Sequence, residues 1–323
     1  MKMNLDFLKD KKILIAGGAG LLGTSLTQYL TSNGIRTRST YFSRFPPKHL
    51  EEHYQQYDFT KYQDCVDATA DQDYVIICAV QASGVYGVRK SPTASIQPNL
   101  NIHTGLFEAC VQNDVSRVVW VSSSTVYQEA FYPIREDELD LNQSPYELYQ
   151  GIGWVYRYLE QLGQCYHDKY GLRFGIIRTT NIYGPYDRFD NVRSHVIPAL
   201  IKRALNKENP FIVWGNPNTI RDFIYVDDLM YAVLQVMEQY CIGDPINFSS
   251  GIPISIQKLV EIVQEVCDHC VPLEYDRSKP SAVPYRVLDN TKFETFFDRF
   301  RKTSLKDGIR QTMQWYNSSL SRD

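Results

Sequence analysis

The sequence has no long apolar run, no block of like charge and no apolar leader at its start. No stretch approaches the ~20 consecutive apolar residues of a membrane-spanning helix, and the opening MKMNLDFLKDKK lacks the apolar region of a signal peptide. The net charge is −3, and the basic residues are scattered along the chain. We therefore expect a cytoplasmic protein that binds no nucleic acid and is not held in a membrane.

Cysteines are few and irregularly spaced. The seven cysteines show no disulfide-framework pattern, which predicts reduced thiols. Cys267 and Cys270, in CDHC, have the spacing of half a zinc site. No second pair accompanies them, so we expect no bound metal.

Short apolar runs alternate with helical patterns through the first half of the 323 residues. Four runs have the composition of buried parallel strands: KKILIAG (11–17), DYVIICA (73–79), SRVVWVSS (116–123) and LRFGIIR (172–178). Apolar positions recur at helical spacing over residues 21–33, 97–113 and 146–170. This alternation predicts an α/β fold with a Rossmann-type, doubly wound parallel sheet over residues 1–178.

The second half contains more proline and shorter elements. It predicts a smaller, mixed α/β substrate-binding lobe over residues 179–323. A return segment near residues 220–250 is expected to belong with the first domain. The lobe should cover a ligand at the carboxyl edge of the sheet.

A glycine-rich turn, in ILIAGGAGLLGTSL, joins the first strand to the first helix. Glycine at these positions lets the backbone turn tightly and approach a pyrophosphate, which then lies at the helix N-terminus. We expect a dinucleotide to contact this turn and the end of a later strand, through Gly17, Gly20, Leu21, Leu22, Gly23 and Ala79.

The second strand, IRTRSTYFSR, contains no acidic residue. Enzymes that prefer NAD usually place an acid there to hold the ribose 2′-hydroxyl. Tyr41 stands about where the acid would fall, and Arg38 and Arg44 suit a 2′-phosphate. The sequence therefore favours NADP and leaves NAD open. Asp58 and Phe59, in YDFT, are expected to receive the adenine.

Further sequence motifs resemble those of a known enzyme family. SSSTVY (122–127) ends a strand and Tyr146 opens the next predicted helix. Together with the glycine turn, they resemble the extended short-chain dehydrogenases/reductases. A narrower likeness, to the GDP-L-fucose synthases, is carried by ACVQNDVSRVVWVSSSTVY, TTNIYGPYDRFDNVRSHVIPALIKRAL and VWGNPNTIRDFIYVDDL. The resemblance implies a GDP-linked sugar substrate and a homodimer formed by helices 97–113 and 146–170 across a two-fold axis.

The resemblance also assigns roles to single residues. Ser123 and Tyr146 match the catalytic serine and tyrosine, and His195 matches the acid used in epimerisation. The implied substrate-binding residues are Thr125, Asn181, His195, Arg203, Trp214 and Arg221. The cysteine that epimerises the sugar in those enzymes is Thr125 here, and a threonine hydroxyl is too weakly acidic to act as the base. Ser124 and Thr125 also replace the Asp-Glu pair of related dehydratases.

The family lysine, four residues after the tyrosine, is Gln150 here. In the family this lysine binds the nicotinamide ribose and lowers the pKa of the tyrosine from its reference value of about 10. Without the cation, Tyr146 should stay protonated at neutral pH. A neutral phenol suits donation to a forming alkoxide better than removal of a proton from an alcohol.

Three functions are consistent with these residues. The first is an NADP-dependent reductase of a GDP-4-keto sugar, a 6-deoxyhexose or heptose of a surface polysaccharide. The second is C4 oxidation or C3/C5 epimerisation of a nucleotide sugar. The third is a catalytically impaired subunit that binds cofactor and sugar nucleotide. Because Ser123, Tyr146 and His195 are retained, the sequence favours an enzyme.

Overall fold

The protein is built on a parallel sheet of seven strands. The computed structural model describes residues 3–82, 85–190, 194–278, 283–297 and 302–320. The strands of this sheet are β1 (Lys12–Ala16), β2 (Arg36–Tyr41), β3 (Tyr54–Gln56), β4 (Tyr74–Ile77), β5 (Arg117–Ser123), β6 (Arg173–Thr179) and β11 (Pro245–Asn247). Their order is β11-β6-β5-β4-β1-β2-β3, and neighbouring strands pair in parallel. The order reverses beside β1, which creates a crevice at the carboxyl edge.

Helices cover both faces of the sheet. The helices of the described residues are α1 (Leu21–Ser32), α2 (Tyr62–Thr69), α3 (Val85–Lys90), α4 (Ile96–Gln112), α5 (Gln150–Tyr170), α6 (Val196–Leu205), α7 (Val226–Gln239), α8 (Ile256–Val266), α9 (Thr291–Phe296) and α10 (Leu305–Leu320). One apolar core joins α2, α4 and α5 to the sheet, and another joins α1 and α7 to the opposite face. Burial on both faces explains why the strands read as continuous apolar runs.

Shorter strand pairs organise the second half. These strands are β7 (Asn181–Tyr183), β8 (Phe211–Trp214), β9 (Ile220–Arg221), β10 (Phe223–Tyr225), β12 (Ile254–Ser255) and β13 (Leu273–Asp276). They form the pairs β7–β10, β9–β12 and β8–β13. A third core, around Phe211, Ile201 and Val260, joins α6, α8 and α10.

The predicted Rossmann-type sheet is confirmed, with two local differences. The long helix predicted from residue 146 begins at Gln150, because a short 3₁₀ turn, Glu147–Tyr149, precedes it. Beyond the predicted strands, β11 joins the edge of the sheet beside β6. The division of the chain at residue 178 stays a prediction. Within the described residues, no helix is long and apolar enough to cross a membrane.

Candidate active site

The glycine turn has the close contacts that a dinucleotide site requires. Gly17 has a φ of 85°, and a Cβ there would stand 2.5 Å from the backbone nitrogen of Ala79. A Cβ on Gly23 would stand 2.4 Å from the Gly17 carbonyl oxygen. Gly20 precedes α1, whose first turn holds no acidic residue. The backbone N–H groups of Leu21 and Leu22 therefore lie at an uncapped helix N-terminus, a setting that fits a pyrophosphate.

The two arginines predicted to read a 2′-phosphate are held differently. Arg38 Nη1 donates to the carbonyls of Ala68 at 3.0 Å and Ala70 at 3.1 Å, so it braces the end of α2. Arg44, in the loop after β2, donates from Nη2 to the Tyr186 carbonyl at 2.7 Å. Of the two, Arg44 is the stronger candidate for the phosphate, because its side chain is not committed to holding a helix.

The predicted adenine region is ordered by local contacts. The Tyr41 ring lies 5.7 Å from the Phe45 ring at the end of β2. The Asp58 carboxylate accepts from Thr60 Oγ1 at 2.6 Å, and this bond lowers the pKa of Asp58. Phe59 is only 7% exposed and packs in the core, so its ring does not face solvent.

Ser123 ends β5 at the carboxyl edge of the sheet, opposite Thr179 on β6. Its Oγ accepts the Thr125 backbone N–H at 3.2 Å and the Thr125 hydroxyl at 3.1 Å. Both acceptor positions of Ser123 are thereby used. Its own O–H is left to donate to another group in the cleft.

Helix α5 fixes the turn that carries Ser123 and Thr125. A Cβ on Gly153 would stand 2.6 Å from the Thr125 carbonyl oxygen, so the helix and the turn touch directly. Arg157 Nε donates to the Val126 carbonyl at 2.6 Å. The hydroxyls at the end of β5 therefore rest on a rigid support.

A buried ion pair lies behind this turn. The Glu160 carboxylate of α5 binds Arg178 of β6, with an Nη2–Oε2 distance of 2.7 Å, and both side chains are almost fully buried. Ser122 donates to Glu160 at 2.7 Å, and Arg178 donates to the Tyr127 hydroxyl at 2.8 Å. Burial alone would lower the pKa of Arg178, but Glu160 and Tyr127 raise it above its ordinary value.

Tyr146 lies just before α5, at the start of the 3₁₀ turn. Its ring lies 6.4 Å from the ring of Tyr149, a residue with no assigned role from the sequence. Gln150 begins the helix and is exposed. Burial raises the pKa of Tyr149, whereas the nearby guanidinium groups of Arg221 and Arg286 lower it.

Arg221 and Arg286 form a pair of buried like charges. The Arg286 backbone N–H donates to the Ile220 carbonyl at 3.2 Å, which holds the two arginines on adjacent segments. They are 8% and 5% exposed, and among the described residues neither has an ion-pair partner. Burial and the charge of Arg221 lower the pKa of Arg286 to about 10. Glu129 offsets part of the charge on Arg286, and Arg286 also donates to the Gln128 carbonyl at 3.2 Å and the Tyr127 carbonyl at 3.3 Å. Two neighbouring buried cations without an ion-pair partner are suited to an anionic ligand.

Asp222 holds the segments that carry this pair, hereafter called the arginine pair. Its carboxylate accepts the backbone N–H groups of Ser250 at 3.0 Å and Leu288 at 3.4 Å. Asn181 Nδ2 donates to the Asp222 carbonyl at 2.9 Å. Asn181, predicted to bind substrate, therefore contacts the residue that directly follows Arg221.

His195 precedes α6 and is 57% exposed. Its Nδ1 lies 3.1 Å from Oδ1 of Asp187, whose side chain is buried. The hydrogen bond to Asp187 raises the pKa of His195. The pair is therefore suited to hold a proton on the imidazole and present it to the cleft.

The remaining predicted substrate residues have other contacts. Arg203 donates from Nε to Glu208 at 2.6 Å, and its guanidinium lies over the Phe211 ring. Trp214 ends β8 and is 59% exposed. In the described residues no cluster of three or more histidine, cysteine or acidic side chains is placed to hold a metal, and the seven cysteines are free.

Comparison with known proteins agrees with this geometry. The model of the NAD dependent epimerase/dehydratase family matches residues 13–248. GDP-L-fucose synthase 1 of Arabidopsis thaliana is 30% identical over 317 residues, covering 95% of this chain and 94% of that protein. A GDP-6-OMe-4-keto-L-xylo-heptose reductase from C. jejuni has a TM-score of 0.82 at 22% identity, covering 96% of this chain and 98% of that one. A GDP-L-fucose synthetase from Naegleria fowleri bound to NADP has a TM-score of 0.80 at 21% identity, covering 99% and 97%.

Fold and site together define an NAD(P)-dependent oxidoreductase or epimerase of the class that acts on nucleotide sugars. The chain belongs to the NAD dependent epimerase/dehydratase family.

Proposed function

We propose that this protein is an NADP-dependent reductase of a GDP-linked 4-keto sugar. The observation that carries the proposal is the double hydrogen bond from Thr125 to Ser123 Oγ. It leaves the Ser123 hydroxyl as a donor, which is the role needed beside a carbonyl that becomes an alkoxide. Thr125 itself supplies no base that could remove a carbon-bound proton. Both features favour reduction over epimerisation.

Proton transfer in this scheme falls to Tyr146. When bound, NADPH would supply the hydride, which brings two electrons and one hydrogen to the carbonyl carbon of the sugar. The neutral Tyr146 phenol donates its proton to the forming alkoxide, while Ser123 stabilises the developing negative charge. Gln150, an uncharged amide, would bind a ribose hydroxyl of the cofactor without adding a positive charge beside the phenol.

The arginine pair is the proposed diphosphate site. Two guanidinium groups can bind a diphosphate with several charge-assisted hydrogen bonds, and the bound anion removes their mutual repulsion. GDP is the favoured nucleotide, because the relatives at 30% identity include GDP-L-fucose synthases. The proposed sugar, a 6-deoxyhexose or heptose for a surface polysaccharide, rests on the same likeness.

Turnover tests this proposal directly. The purified protein is incubated with NADPH and GDP-4-keto-6-deoxymannose in heavy water, and the product is analysed by NMR. Reduction at C4 without deuterium at C3 or C5 is the expected result. Deuterium at C3 or C5 would instead support epimerisation, with His195 as the acid. If neither this sugar nor its heptose counterpart is turned over, the reductase proposal is wrong.

Replacing the proton donor is the companion test. Tyr146→Phe keeps the ring and removes the phenol, so the rate of reduction should fall by roughly 10²-fold or more. NADPH binding, measured by fluorescence titration, should change little. Tyr132→Phe, at an exposed tyrosine outside the cleft residues, serves as the control. An unchanged rate in Tyr146→Phe would show that the proton comes from another group.

We also propose a homodimer, in the cytoplasm, formed through α4 and α5. Trp154 and Tyr158 of α5 are 41% and 53% exposed, one helical turn apart. A pair of aromatic side chains on one face of a helix is typical of interface residues. Sedimentation at micromolar concentration should show a dimer. The double change of Trp154 and Tyr158 to Asp should yield a monomer of unchanged secondary structure.

A further inference from the structure

Residues 184–190, hereafter the bridging segment, are anchored on the dinucleotide-binding half. The Tyr186 carbonyl accepts Arg44 Nη2 at 2.7 Å, and the Tyr186 hydroxyl donates to Gln28 of α1 at 2.7 Å. Tyr186 has a φ of 70°, which is uncommon for a residue with a side chain. Such strained residues cluster at functional sites, where surrounding contacts maintain them.

The same segment is anchored on the second half. The Phe189 ring stacks on Tyr316 of α10 at a centroid distance of 3.9 Å, and the Phe189 carbonyl accepts Lys202 Nζ at 2.9 Å. Between these anchors lies Asp187, the partner of His195. The bridging segment therefore connects the dinucleotide-binding half to Asp187 and, through Asp187, to His195.

Arg188 lies two residues along the bridging segment from Tyr186, whose carbonyl accepts Arg44 Nη2 at 2.7 Å. Burial lowers the pKa of Arg44, and the charge of Arg188 lowers it further, while Asp187 raises it. Arg188 is half-buried, and within the described residues its guanidinium has no ion-pair partner. The two arginines therefore bring two positive charges together, and the carboxylates of Asp187 and Asp190 offset part of this charge.

This cluster of charges lies beside the glycine turn. Arg44 is near enough to Tyr54 for its charge to act on the phenol, and the Tyr54 hydroxyl donates to the Gly18 carbonyl at 3.0 Å. Arg44 also follows the strand whose end reads the adenosine ribose in this fold.

We propose that Arg188 joins Arg44 in binding the 2′-phosphate of the dinucleotide, and that this contact fixes the Asp187–His195 pair. The inference rests on the proposed function only for the choice of NADP. A 2′-phosphate carries about −1.5 to −2 charges, so it offsets the repulsion between the two arginines. Because Asp187 adjoins Arg188, the phosphate also restrains the carboxylate that orients His195.

Binding of nucleotide fragments tests the site without any sugar substrate. The dissociation constants of adenosine 2′,5′-bisphosphate and of 5′-AMP are measured by calorimetry for the full chain. The parent should prefer the bisphosphate. Arg188→Met and Arg44→Met should each lose roughly ten-fold or more of that preference, with the affinity for 5′-AMP little changed. Arg188→Lys should retain part of it, because the charge remains.

Arg36→Met is the matched control, since Arg36 is an exposed arginine at the start of β2. It should keep the full preference. If Arg188→Met keeps the preference, or weakens both ligands equally, Arg188 does not contact the 2′-phosphate. Circular dichroism of each variant separates this outcome from misfolding.

Hydrogen exchange tests the link to the acid. In the parent, adenosine 2′,5′-bisphosphate should slow exchange at the backbone amides of residues 186–190, whereas 5′-AMP should not. In Arg188→Met the protection should be lost. Equal protection by both ligands would overturn the link, while sugar turnover by the parent, assayed separately, would leave the proposed function standing.

Discussion

The protein contains two buried pairs of charged side chains, one made of opposite charges and the other of like charges. Arg178 is matched by Glu160, and hydrogen bonds from Ser122 and to Tyr127 complete the network. Arg221 and Arg286 lie near each other and near three tyrosines. Glu129 offsets part of the charge on Arg286, but neither arginine has an ion-pair partner among the described residues. A compensated pair needs no ligand, whereas an uncompensated pair is stabilised by one. The comparison separates an arginine that stabilises the fold from two arginines that are proposed to bind a substrate.

Breaking the compensated pair should have the largest effect on stability. Glu160→Gln removes the carboxylate and leaves Arg178 charged and buried, which should lower the free energy of unfolding by about 3–5 kcal/mol. The measurement is urea unfolding followed by circular dichroism. Glu265→Gln, which breaks an exposed pair with Lys306, is the control and should leave the free energy of unfolding nearly unchanged, because solvent screens an exposed ion pair. A similar small loss for both variants would show that the buried pair is not structural.

Breaking the uncompensated pair should reverse this pattern. Arg221→Met or Arg286→Met should weaken GDP binding by roughly ten-fold or more. Arg221→Met should also leave the unfolding midpoint unchanged or higher, because like-charge repulsion is relieved, whereas Arg286→Met also removes hydrogen bonds to the Tyr127 and Gln128 carbonyls. Calorimetric titration with GDP gives the first quantity.

Arg203→Met sharpens the test. Since Arg203 is paired with Glu208, its removal should change GDP affinity by less than about three-fold. A larger loss would return Arg203 to the substrate-binding role that the family resemblance implied.

The sequence predicted the sheet and its helices well, because their signals are local. The runs at 11–17 and 116–123 became β1 and β5, and the glycine spacing located the turn before α1. Each element carries its own apolar pattern, and burial on both faces of the sheet explains those patterns.

Residues defined only by tertiary contacts escaped prediction. A backbone hydrogen bond to Ile220 brings Arg286 beside Arg221, and no local sequence pattern predicts this contact. Asp187 likewise becomes a partner of His195 only when the bridging segment folds back. Conversely, Arg38 looked suited to a phosphate, but its guanidinium is held by the end of α2. Charge alone does not show where a long side chain points.

The smallest expected effect concerns the position that departs from the family. Gln150 is exposed at the first turn of α5, four residues after Tyr146. In Gln150→Lys an ammonium near the phenol stabilises the phenolate, which is the form that removes a proton from an alcohol. The rate of alcohol oxidation should therefore rise several-fold more than the rate of ketone reduction.

The two rates must be measured in single turnovers, because a substitution cannot change the overall equilibrium of the reaction. Gln150→Met, of similar length and without charge, is the control for lost hydrogen bonding to the ribose, and it should slow both directions alike. In the double variant with Tyr146→Phe the gain in oxidation should disappear, since no phenol remains to ionise. A gain that persists without the phenol would mean that the new lysine acts on the cofactor alone.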